Sequence, residues 1–195
     1  MNYLAHLHVA TQCDSQLMGN LLADFVKGRP DNQFSPLTVE GIYLHRFVDS
    51  TIDALPEIKT CRQRFPSALY RYSAIALDVF WDHALIQHWD RFSDVSFAQF
   101  VEHAESECQR AIKNEPFPLP ERFLTLSSRM WQEQWIPSYA HAETLQHVLS
   151  RMSTRSPRMA PLADTAPVLL QHYDAFIDAF PPIYEQVLDA AKKKG

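Results

Sequence analysis

Leu77-Asp78-Val79-Phe80-Trp81-Asp82-His83 sits inside an apolar run from about Ser67 to Trp89. Its apolar residues lack the strict alternation of a strand, so the run reads as a helix of an all-α domain. Asp78 and Asp82 then share one face, with Cβ atoms about 5–6 Å apart. Two carboxylates that close repel, mildly in water and strongly when buried, unless a proton or a cation lies between them. A divalent metal is the simplest such cation, and a solvated acidic face is the plain alternative. His83 follows about 100° further round and can reach the edge of the same site.

The rest of the chain fits that class. Its 195 residues suffice for one domain, 1–195, and are too few to expect two. Only four glycines occur, alternating runs are few, and thirteen prolines punctuate segments of helical periodicity, which points to a single-domain helical bundle. Cys13, Cys61 and Cys108 have neither disulfide-framework nor zinc-finger spacing and suit a reducing cytoplasm. The N-terminal residues lack a leader pattern and no 18 apolar residues run together, so no membrane association is expected. A net charge of −5 argues against a nucleic-acid partner. Two acid-free basic runs stand out all the same: Lys59, Arg62, Arg64 and Arg71, then Arg151, Arg155 and Arg158.

Working outward along the chain, Asn2–Thr11 reads as a first helix. His6 and His8 lie about 200° apart on it and cannot share a site. His6 is the better candidate, because Ala10 and Cys13 beyond it are small. A second helix, Leu17–Val26, is capped by the Asp14-Ser15-Gln16 segment and stops at Gly28. Asp24 falls in its most apolar part, where a carboxylate must be paired, protonated or metal-bound. Asn20 stands one turn before it. Pro36 opens a third helix, in which His45 and Asp49 are four apart on one face, and Pro56 breaks or restarts it. Such a pair can share a metal, or the carboxylate can orient the imidazole from behind. Ser96 caps a helix running to about Lys113, a proline-rich link spans Glu115–Pro120, and Trp131 and Trp135 form a core face of the next helix. A helical stretch with His141 and His147 leads to the arginine run, and a last helix, Pro167–Ala191, is interrupted at Pro181-Pro182.

Hard carboxylates mixed with imidazoles suit Mn²⁺, Mg²⁺ or Fe²⁺, and such clusters hydrolyse phosphate esters. No nucleophile elbow or glycine-rich phosphate loop competes with that reading. Residues alone therefore point to a helical metal-dependent hydrolase.

The longer motifs carry a family resemblance. Met1-Asn2-Tyr3-Leu4-Ala5-His6-Leu7-His8, Gly19-Asn20-Leu21-Leu22-Ala23-Asp24-Phe25-Val26-Lys27-Gly28, Gly41-Ile42-Tyr43-Leu44-His45-Arg46-Phe47-Val48-Asp49, the Leu77–His83 stretch, Trp131–Trp135 and Ser153–Arg158 together resemble the acyl carrier protein phosphodiesterase family. That family is similar to HD-type phosphohydrolases, with a helical HD-domain-like fold. The resemblance implies a Mn²⁺ enzyme that removes 4′-phosphopantetheine from the serine of holo-acyl carrier protein. On it, His6, Asp24, His45, Asp82 and His83 are the expected metal ligands, and Asp24, Asp78, Asp82 and His83 the catalytic set. Asp49 and Asn20 are expected to support ligands from behind. Arg46, Arg62, Arg64, Arg151, Arg155 and Arg158 are expected to meet substrate or carrier. The Asp82-His83 order reverses the His-Asp order of ordinary HD enzymes, so ligand roles are not carried over from them and one or two metals remain open. Two other readings are an HD-type nucleotide phosphohydrolase, which needs a base pocket, and a metal-free helical module docking an acidic partner through its arginines.

Overall fold

The computed structural model describes residues 1–194. Helix α1 (Tyr3–Gln12) is buried at every position from Leu4 to Ala10. A helix buried on all sides belongs at the centre of a domain, and α1 packs against α2 (Leu17–Leu22), α3 (Pro36–Ala54), α5 (Ser73–Gln87) and α12 (Tyr173–Lys194). Between α3 and α5 lies α4 (Pro56–Arg62), which Pro56 restarts after the chain turns at Leu55. The outer elements are α6 (Trp89–Phe92), α7 (Phe97–Asn114), α8 (Glu121–Gln132), α9 (Trp135–Ser138), α10 (Glu143–Ser153) and α11 (Thr165–Gln171). Ser96 and Gln99 exchange hydrogen bonds across the first turn of α7, the reciprocal cap its sequence calls for. Among the described residues there is no strand and no helix long and apolar enough to cross a membrane.

Three boundaries differ from expectation. α2 stops at Leu22, and the chain tightens into a 3₁₀ turn, Ala23–Phe25, which swings Asp24 out of the apolar face into an exposed position. α5 begins at Ser73 rather than near Ser67, after a short 3₁₀ turn at Tyr70–Tyr72. The last helical stretch breaks at His172, not at Pro181-Pro182, which lie inside α12. A proline within a helix costs about 3 kcal/mol through its missing donor and its ring clash. Here Phe180 and Tyr184 are fully buried on either side of the pair, with stacked rings 5.0 Å apart, and that packing carries the helix through.

Burying α1 obliges the protein to satisfy its polar groups. Asp82, fully buried on α5, accepts the amides of Leu4 and Ala5 at 3.0 Å each and so caps the N-terminal turn of α1. His8 bonds the Tyr184 hydroxyl at 2.7 Å and the Phe92 carbonyl at 3.1 Å, an ordinary core histidine. α2 and α3 meet backbone to backbone, because a Cβ on Gly19 would lie 2.6 Å from the Thr38 carbonyl oxygen and one on Gly41 would lie 2.9 Å from that of Gln16. Only glycine permits that approach, and it fixes α3 against the core.

Candidate metal centre

α1 and α3 cross so that two imidazoles stack face to face. The rings of His6 and His45 are 3.7 Å apart at an interplanar angle of 16°. Each turns its Nε2 toward Asp49, whose Oδ1 lies 3.1 Å from His6 and whose Oδ2 lies 3.1 Å from His45. Asp49 is four residues beyond His45, so one turn of α3 places both groups on the face that meets His6. The outward turn after α2 brings Asp24 Oδ1 to 3.4 Å from His45 Nε2. The Asp24 side chain is 62% accessible, against 6% for His45, so the cluster opens to solvent on that side.

The charges are strongly interdependent. Burial opposes protonation of His45, yet its bonds to Asp24 and Asp49 prevail and lift its pKa to about 9. Burial and the neighbouring His45 charge push His6 down to about 4. Burial would raise Asp49, but the imidazoles of His45 and His6, each 3.1 Å from one of its oxygens, hold it well below the carboxylate range. Asp24 is likewise lowered, against burial, by its bond to His45. The group thus carries two carboxylates around one charged imidazole. His6 keeps both ring nitrogens buried without a partner in hydrogen-bonding geometry, and so does His45 at Nδ1. Unpaired buried polar atoms cost about 1–3 kcal/mol each. Two imidazole nitrogens and two carboxylates converging with this unmet capacity fit a borderline or hard divalent cation. His6, His45 and Asp49 are the group of potential ligands found within bonding reach of one another among the described residues. The acceptor usually found behind a ligating imidazole is missing, and ring stacking sets the orientation in its place.

The expected ligands therefore separate. His6, Asp24 and His45 come together, and Asp49 joins them directly rather than from behind. Asp82 stands apart as the cap of α1, its pKa pushed up to about 7 by burial against the pull of the two amides. His83 also points elsewhere, bonding the Tyr139 carbonyl at 2.7 Å and the Tyr173 hydroxyl at 2.6 Å. The reason is that α5 is buried around most of its circumference, so Asp78 and Asp82 meet different neighbours. Asp78 pairs at 3.0 Å with the Met1 amino group, which also lies 3.4 Å from Asp49. Asn20 is buried one turn from Asp24 but donates to Ser15 and to the Gln16 carbonyl, bracing the start of α2.

The arginines divide in the same way. Arg46 donates to the carbonyls of Gly28 and Val26, both at 2.6 Å, and so anchors the loop after Asp24. Arg62 donates to Ser73 at 2.9 Å and covers the Tyr70 ring. Arg64 and Arg158 are exposed away from the cluster's lining, although the Arg158 carbonyl accepts the Tyr72 hydroxyl. Arg151 and Arg155 line a groove together with Arg122 and Arg129.

Two groups went unread in the sequence. Trp135 leaves the core face assigned to it, because left-handed Gln134 (φ 51°) separates α8 from α9. It stands half-buried between the groove and a narrower slot, with the Arg151 guanidinium 4.6 Å over its ring. Tyr3, one turn before His6, lines that slot. Burial raises its pKa, Arg155 lowers it and Asp24 raises it, so the hydroxyl feels the slot's arginine and the cluster's carboxylate together. Its spacing from His6 was the available signal.

The family model described as acyl carrier protein phosphodiesterase matches residues 1–187. A protein of that name from Pectobacterium atrosepticum is 42% identical over 193 residues, covering 98% of each chain. Another of the same name from Escherichia coli is 40% identical over 195 residues, covering all of this chain and 99% of its own. No solved structure matches the chain, so the likeness to HD-type enzymes stays with the sequence motifs. The match nevertheless runs through α1, the turn after α2, and α3, which build the cluster, and on into α12, and the chain belongs to the acyl carrier protein phosphodiesterase family.

Proposed function

We propose that the protein is a divalent-metal phosphodiesterase that hydrolyses the bond between 4′-phosphopantetheine and the serine of holo-acyl carrier protein, with Mn²⁺ as the metal and His6, His45, Asp49 and Asp24 as its holders. The observation that carries this reading is the convergence of two stacked imidazoles on one carboxylate in a member of this family. Bound there, the cation would neutralise phosphate charge and acidify water.

The chain's own residues supply the rest. Asp49 fixes both imidazoles in one orientation. Asp24, accessible on the open side, can accept a hydrogen bond from the attacking water and so orient it, the water's proton passing to solvent as its oxygen bonds to phosphorus. The phosphorus–serine oxygen bond then breaks, and the serine oxygen takes a proton from solvent, which restores the hydroxyl. Arg155, whose charge reaches Tyr3, is placed to offset charge on the phosphate oxygens. Acyl carrier proteins are acidic helical proteins, and a chain of net charge −5 needs a local positive surface to receive one. The groove of Arg122, Arg129, Arg151 and Arg155 offers it, with four arginines against Glu121 in the lining and Glu133, which pairs with Arg129 and Arg151. Three free cysteines support a reducing, cytoplasmic setting.

The test is product analysis with purified holo-carrier protein, alongside metal content. Apo-carrier protein and 4′-phosphopantetheine should appear, chelation should stop the reaction, and Mn²⁺ should restore it. Intact holo-carrier protein after incubation with the Mn²⁺-loaded enzyme would overturn the assignment.

A further inference from the structure

We propose that the slot beside the cluster, walled by the rings of Tyr3, Trp135 and Tyr139, is the subsite for the neutral pantetheine arm of the substrate. This rests on the phosphodiesterase reading and adds which part of the substrate each cavity takes.

The slot encloses about 200 Å³, below the range of about 300–1,000 Å³ usual for drug-sized ligands. That is too small for a protein helix and suits part of one thin, extended chain. Its lining matches such a chain's chemistry. Val148 and Met152 supply apolar wall, while Asn2, Ser138 and Thr144 supply groups able to hydrogen-bond amides. Asn2 donates to the Tyr139 hydroxyl at 3.0 Å, which leaves its side-chain oxygen free to accept an amide N–H. Carboxylates are absent from the lining, and the charged groups are Arg151 and Arg155, which the slot shares with the wider basic groove.

Position completes the argument. Tyr3 forms part of the wall and lies one helical turn from His6, so the slot leads away from the cluster along α1. A phosphodiester has two ester arms. With its phosphorus at the cluster and Arg155 beside it, the arm on the Tyr3 side enters the slot, while the serine side carries the protein toward the arginine groove. Trp135, under Arg151 and 6.0 Å from Arg129, is the partition between the two.

The experiment measures binding of free pantetheine, which has no phosphate, to the Mn²⁺-loaded enzyme by calorimetry, and its competition with holo-carrier protein. Pantetheine should bind and inhibit competitively. Val148→Trp, which fills the slot, should weaken that binding at least about tenfold and raise KM for holo-carrier protein by a similar factor, with Mn²⁺ content unchanged. Should Val148→Trp fail to fold by circular dichroism, Thr144→Val decides by the same weakening, in smaller degree. Pantetheine that does not bind, or that binds these folded variants as it binds the wild type, overturns the subsite. Failure of the wild type to turn over holo-carrier protein overturns the phosphodiesterase reading instead, and the calorimetry keeps the two failures apart.

Discussion

Replacing Asp82 by alanine separates a ligand from a cap. In the structure its two oxygens each accept one amide of the first turn of α1, at 3.0 Å, in a fully buried setting. Alanine would leave both amides unpaired, at about 1–3 kcal/mol each, for a total loss of about 2–6 kcal/mol. For a chain of 195 residues, 1 kcal/mol moves Tm by about 2–4 °C, so metal-free Asp82→Ala should melt about 5–15 °C lower. Asp82→Asn keeps one acceptor but turns an N–H toward the other amide, and should fall between. Activity should drop as well, because His6 directly follows the two capped residues. That loss should be partly recovered by saturating Mn²⁺, since a ligand at 100 times its Kd stabilises the native state by about 2.7 kcal/mol. The measurements are thermal denaturation with and without metal and bound metal per chain. A variant with wild-type metal-free Tm that no longer binds Mn²⁺ would make Asp82 a ligand and refute the capping argument.

Asp49→Ala and His6→Ala should abolish Mn²⁺ binding in equilibrium dialysis, whereas His83→Ala should retain it; the opposite pattern would move the site to α5. Because His45 holds its proton up to a pKa of about 9 in the metal-free protein, that proton must leave before the nitrogen can ligate. Mn²⁺ affinity should therefore rise about tenfold per pH unit from pH 7 toward 9 and level off above, and a flat profile across pH 7–9 would exclude His45. Arg155→Glu should raise KM for holo-carrier protein at low salt, with the defect shrinking as screening shortens to about 8 Å at physiological ionic strength. Arg158→Glu, outside the groove, should change KM little, and equal defects would place the docking surface elsewhere. Gly19→Ala should destabilise the fold by about 1–3 kcal/mol in urea denaturation, the cost of forcing apart packed backbones; an unchanged midpoint would show that α2 and α3 can separate freely.

Much of this molecule was legible in its sequence because helices leave periodic traces. The all-α class, the Pro56 restart and the Ser96 cap all follow from local chemistry. His6, Asp24 and His45, whose surroundings made a solitary polar role costly, do come together in the structure. A four-residue His/Asp spacing fits an orienting acceptor as well as a shared ligand, and only the arrival of α1 turns Asp49 toward both imidazoles. Asp82 and His83 lie apart from that cluster for a related reason. The Leu77–His83 pattern tells which residues share a helix face but not what that face meets, and on a helix buried nearly all round a carboxylate can serve a neighbouring helix end. Tyr3 and Trp135 could not be joined on paper, since their proximity depends on how α9 and α10 fold back over the start of α1.

The placement of α1 also bears on the order in which the protein can mature. His6 is made early in translation, but two residues later His8 takes its hydroxyl partner from Tyr184, and the amides before His6 wait for Asp82. A chain still emerging from the ribosome holds Asp24, His45 and Asp49 long before α12 exists to close over α1. Non-local closure of this kind is entropically late. The second imidazole should therefore be seated at the end of folding, so that the cluster of His6, His45, Asp49 and Asp24 is completed only after synthesis ends.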